Sequence, residues 1–156
     1  MIPNVELYLS RTSDVVMFLR GLSKGLVGED LGADFGQCLN EGSGVATDIE
    51  IAVDLIEQGG LNDIVNGIFK IVNIVKEIPV VYSDCKSISV AAIQKLEAFG
   101  ARFSDFNALF HKVSMNMLFH GAEIFGDFAQ AKTFLDQGNF FNSGLFGGLA
   151  ISVATQ

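Results

Sequence analysis

Apolar residues recur at intervals of three and four along nearly the whole chain, and strand-type alternation is almost missing. In LNDIVNGIFKIVNIVKEIP the series Leu61, Ile64, Val65, Ile68, Ile71, Val72, Val75 and Ile78 predicts an amphipathic helix, which Pro79 is expected to stop. Upstream, TDIEIAVDLIEQGG predicts a short helix opened by a capping box from Thr47 to Glu50 and closed at Gly59 and Gly60. After the proline, Ser83 or Asp84 is the expected N-cap of a helix that carries Cys85 in its first turn, presents Ile88, Ala91, Ala92, Lys95, Leu96 and Phe99, and ends at Gly100. A long Phe-rich segment follows from Ser104, with Phe106, Leu109, Phe110, Val113 and Met117 on one stripe. Gly121 and Gly126 are expected to kink or divide it and Gly138 to end it. The pattern predicts an all-α protein, a compact bundle of six or seven helices in a single domain spanning residues 1–156.

The last segment, FFNSGLFGGLAISVATQ, breaks the pattern, being apolar on almost every side from Phe140 to Ala154. Such a segment is either the central helix of the bundle or a terminal arm for a neighbouring subunit or lipid, with Phe140, Phe141, Leu145, Phe146 and Leu149 as its apolar contacts. Ile151 and Val153 leave a strand open at the very end.

Glycines raise a second question. Gly21, Gly25, Gly28, Gly32 and Gly36 recur every three or four residues within RGLSKGLVGEDLGADFGQ. Neither a dinucleotide fingerprint nor a P-loop is present, and no strand precedes the run, so a phosphate cradle is not the reading. At 100° per residue the five lie on one side of a helix, where bare backbone admits another helix closely. Each interior glycine costs about 1 kcal/mol relative to alanine. A break near Gly28 is therefore expected, with Glu29 and Asp30 opening a second helix. Gly144, Gly148 and Ser152 form a second small-residue row, a plausible mate for the first within one subunit or between two.

Charge narrows the partners. Ten basic against 18 acidic residues give a net charge of -8, which repels nucleic acid and anionic headgroups. Apolar residues make up 49% of the chain and charged ones 18%, so more apolar surface is available than a soluble domain needs, and some is expected to face a partner, another copy or bound lipid. No stretch is long enough to span a membrane. The start MIPNVELYLSRTSD lacks the pattern of a signal peptide, so the chain is expected to be extracellular if already processed and cytoplasmic otherwise. Cys38 and Cys85 fit either compartment, as a bridge or as two buried thiols.

Candidate chemistry is sparse. His120, Glu123 and Asp127 share a helix face, but His111 and the cysteines are distant from it in sequence, so a polar face is preferred to a metal site. Ser43 lacks a nucleophile elbow and is expected to cap or precede the next helix. The cysteines have no motif-linked histidine. No catalytic residue, metal or cofactor is expected, and the protein is read as not an enzyme.

The order Phe18, Gly21, Gly25, Glu29-Asp30, Cys38-Leu39-Asn40, Cys85, then Gly138 with Phe140, Ser143, Gly144 and Gly148, resembles a family of small secreted two-cysteine proteins of ciliates. The resemblance implies an all-helical secreted protein with Cys38 bonded to Cys85, and it supplies no activity. The expected function is that of a non-enzymatic extracellular structural protein that self-associates, as a filament or tube, through the glycine faces and the apolar C-terminal segment, with lipid at its apolar interfaces. The alternative is a soluble carrier of fatty acid or other lipid with an internal apolar cavity.

Overall fold

The computed structural model describes residues 12–37, 43–81, 88–103 and 105–156. These residues form six α-helices packed as a bundle: α1 (Thr12–Val27), α2 (Ser43–Glu57), α3 (Leu61–Val81), α4 (Val90–Ala101), α5 (Phe106–Asp136) and α6 (Phe140–Thr155). A 3-10 turn at Ala33–Gln37 lies between α1 and α2. The expected pair Cys38 and Cys85, and the caps Ser83 and Asp84, lie outside the described residues.

Boundaries differ from expectation where a competing backbone interaction takes over. α2 begins at Ser43, so Thr47 lies inside the helix and is not its cap. Pro79 does not stop α3, which runs on to Val81. A proline this close to a C-terminus removes one hydrogen bond without ending the last turn. α4 is capped by Ser89, whose hydroxyl accepts from the Ala92 amide. Asp105 caps α5 in the same way through Ala108. α5 holds one non-helical residue, His120, next to Gly121, and Gly126 does not interrupt it. α6 is helical to Thr155, so the terminal strand does not form.

The bundle has two parts. α6 is the central helix, flanked by α1 on one side and α5 on the other, with Gly144, Gly148, Ala150, Ile151 and Ala154 buried. α2 and α3 form a helical hairpin through Gly59, whose φ of +82° supplies the turn. The hairpin closes the core with Ile49, Ala52, Ile64, Val65, Ile68 and Val72. Burying a single such aliphatic side chain contributes about 1.5 to 3 kcal/mol. α4 braces α3 and α1, and Leu31 and Phe35 plug the end of the core below it.

The glycine run is not one helix face. α1 ends at Val27, and Gly28 follows it at φ +81°, its amide donating to the Lys24 carbonyl at 2.9 Å. Gly32, at φ +111°, lies in the following turn, and Gly36 lies in the 3-10 turn, where an added Cβ would be 3.6 Å from the Val16 methyls. Glu29 and Asp30 start no helix because their carboxylates are engaged elsewhere. Asp30 takes Arg20 Nε and Nη2 at 3.0 and 2.9 Å and the Gly32 amide at 2.9 Å, and Glu29 meets Lys95 of α4 at 3.2 Å.

Candidate interaction surface

Two of the five glycines, Gly21 and Gly25, sit in α1 directly against α6. A Cβ added at Gly21 would fall on the Phe141 carbonyl and lie 2.9 Å from the Leu145 amide nitrogen. One added at Gly25 would fall on the Leu145 carbonyl and lie 2.9 Å from the Leu149 nitrogen. The relation is reciprocal: at Gly144 a Cβ would strike the Phe18 carbonyl, and at Gly148 it would lie 2.5 Å from the Leu22 carbonyl oxygen and 2.7 Å from the Leu26 nitrogen. Rising numbers on one helix meet rising numbers on the other, so α1 and α6 run parallel with their backbones in contact. Where Cβ is absent, a glycine Cα–H faces a carbonyl oxygen, a weak bond that recurs in close helix pairs. The surface meeting the glycine face thus belongs to the same chain, which leaves that face no room for a second copy.

The apolar residues of α6 are divided. Phe140, Phe141, Leu145 and Phe146 are half-buried, and Leu149 is 38% exposed. Phe146 stacks on Phe134 of α5 with ring centroids 5.5 Å apart. Arg20 lies 5.8 Å over the Phe141 ring while it holds Asp30. Burial pushes the Asp30 carboxyl up, but the hydrogen bonds from Arg20 and Gly32 and the charges of Arg20 and Lys24 outweigh it, leaving Asp30 below the usual carboxylate range. Ser143 donates to the Ala131 carbonyl at 2.8 Å, pinning α6 antiparallel to α5. At the other end Asn116 of α5 donates to the Ala154 carbonyl at 2.8 Å and Arg102 to that of Thr155 at 2.6 Å, satisfying terminal carbonyls of α6.

The largest apolar exposure lies on the outer side of α5. Leu118 is 80% exposed, Phe119 74%, Phe125 47% and Met115 45%, with Ala122, Gly126 and Ala129 exposed between and beyond them. Large apolar side chains at that exposure on consecutive turns are uncommon on an isolated domain. The stripe of Phe106, Leu109, Phe110, Val113 and Met117 expected from the spacing packs inward. A second series at Met115, Leu118, Phe119, Ala122 and Phe125 follows the same spacing on the opposite side, and it is the signal that would have found this face.

Titratable groups flank the stripe. Glu123 is exposed, whereas His120 and Asp127 are half-buried. Burial, and then the neighbouring Glu123 charge, hold the Asp127 carboxyl above its ordinary value. No group of three His, Cys, Asp or Glu side chains among the described residues is arranged to hold a metal ion.

One apolar cavity, about 50 Å³, lies where α1, α2, α3, α5 and α6 meet, lined by Phe18, Leu22, Ile56, Ile71, Phe128 and Ile151 among others. Lys132 and Glu57, paired at 3.3 Å, also line it. Pockets for small molecules run to roughly 300 Å³ and above. The cavity is too small for a fatty acid, which counts against the carrier reading. No helix among the described residues is long and apolar enough to cross a membrane.

No curated protein and no solved structure matches the chain. A family model described as SctB-like, secreted protein B-like, matches residues 4–154. That match overturns the resemblance to the two-cysteine proteins of ciliates: individually weak motifs in a plausible order led to the wrong family. The expectation of secretion agrees with the match, and the chain belongs to the SctB-like family of secreted proteins.

Proposed function

We propose that the protein works outside the cell without chemistry of its own, as a structural component that self-associates through the outer side of α5. The observation that carries this reading is the exposure of Leu118 and Phe119 together with Met115 and Phe125 on one helix side. Removing such side chains from water contributes about 25 cal/mol per Å², and none of the described residues covers them. The surface for self-association moves accordingly. The glycine rows Gly21, Gly25 and Gly144, Gly148 are consumed in the α1–α6 contact, so they act in folding, and copies meet on α5.

Lipid fits this side less well than protein does. Helices that lie on membranes carry Lys and Arg beside their apolar side, whereas Glu123 and Asp127 border this one in a chain of net charge -8.

Sedimentation velocity over the micromolar range tests the proposal. The wild-type mass should rise with concentration, and Leu118→Glu should remain monomeric with unchanged far-UV circular dichroism. A wild-type chain that stays monomeric into the millimolar range would overturn it.

A further inference from the structure

We propose that the apolar cavity and the ion cluster at its mouth form a site for a short alkylammonium, a primary amine on a tail of two or three carbons. The cavity sets the tail. Its volume is about 50 Å³ and the surface it presents is apolar, formed by Phe18, Leu22, Ile71 and Ile151 among others. A cavity of about 150 Å³ with such walls stays dry and takes a six-carbon ring, so one a third of that size suits about two or three carbons. The way in is the seam between α2 and α5. There Val53, Ile56, Phe128 and Lys132 are half-buried, while the side chains behind them are buried.

Charge at the mouth selects the head group. Lys132 Nζ lies 3.3 Å from Glu57 Oε1 and 2.6 Å from Asp136 Oδ1, so among the described residues two carboxylates share one ammonium there. The two contacts differ in kind. Asp136 is one turn on in the same helix and stays beside Lys132, whereas Glu57 reaches across the seam from α2. Lys132 can therefore release Glu57 without losing its ion pair with Asp136, and an incoming ammonium takes the released carboxylate. Glu57 also lines the cavity, which puts the head of the ligand where its tail can enter. A carboxylate head would face Glu57 and Asp136, and the net charge of -8 opposes it further. A neutral head forgoes the charge-assisted hydrogen bond to Glu57.

Titration with propylammonium, followed by the NMR methyl signals of Ile56 and Ile151, tests the site. Those signals should shift with a dissociation constant of about 1 to 10 mM, a range open to so small a ligand. 1-Propanol should bind roughly fivefold more weakly, for want of a charge-assisted hydrogen bond, and propionate should not bind. Glu57→Gln should remove the preference for the amine over the alcohol while leaving far-UV circular dichroism unchanged. Hexylammonium should bind no more tightly than propylammonium, because its further carbons find no room. Amine affinity that keeps rising with tail length would place the ligand on the exposed side of α5 and overturn the proposal. Equal affinities for propylammonium and 1-propanol overturn it too, as does a preference for the amine that survives in Glu57→Gln. Methyl signals that stay unmoved at about 100 mM propylammonium, well above the expected constant, do the same.

Discussion

Gly148 of α6 faces Gly25 of α1 so closely that a methyl group added at 148 would lie 3.0 Å from the Gly25 carbonyl carbon. Backbone cannot yield as the tip of a flexible side chain can, so Gly148→Ala or Gly25→Ala must push the two helices apart along their whole contact. The expected cost is about 1 to 3 kcal/mol or more, typical of overpacking in a close-packed core. Gly147, the next residue, has nothing within 4 Å of the same methyl, and Gly147→Ala should gain up to about 1 kcal/mol from helix propensity alone. Urea denaturation of the two neighbouring variants checks this, and similar midpoints for both would contradict the α1–α6 seam.

Arg20 and Asp30 tie the end of α1 to the turn that follows it. The contact is two-pronged, Nε to Oδ1 and Nη2 to Oδ2, and the Gly32 amide adds a third hydrogen bond to the same carboxylate. Its loss in Asp30→Asn should cost about 1 to 2 kcal/mol, the lower part of the range for charge-assisted bonds because both groups remain partly in water. Asp30 ionises more readily folded than unfolded, so its contribution is fully present above the ordinary carboxylate value and is lost as pH falls through the lowered folded value. Stability measured against pH should therefore drop more steeply on acidification in the wild type than in Asp30→Asn.

Periodicity carried the fold because helices with one inward stripe announce themselves: α3 reads off Ile64, Val65, Ile68 and Val72 without further help. Ends were harder to place. Ser89 displaced the expected cap of α4, and the engagement of Asp30 by Arg20 could not be read from residues ten apart in the chain. Small-residue spacing does mark Gly21, Gly25, Gly144 and Gly148 as helix contacts, yet it cannot say whether the opposing backbone is in the same chain. The α5 face was obscured for a different reason. A helix apolar on both sides has little amphipathic contrast, so Leu118 and Phe119 look like more core until the bundle shows which side Leu109 and Val113 have taken.

Asp127 should behave oppositely to Asp30. Burial and the Glu123 charge one turn before it raise its carboxyl value in the folded chain, so the folded state holds a proton more tightly than the unfolded one. The penalty for ionising it is present above the folded value and is relieved as pH falls through that value toward the ordinary carboxylate range. Asp127→Asn removes the charge without changing the shape and should stabilise the protein at neutral pH by up to about 0.5 kcal/mol, the size of a like-charge pair on a helix surface. That gain should vanish on acidification, when the wild-type carboxyl is itself neutral. Urea midpoints of wild type and Asp127→Asn at neutral and acidic pH provide the measurement, and a gain that persists unchanged in acid would place its origin outside the Glu123–Asp127 repulsion.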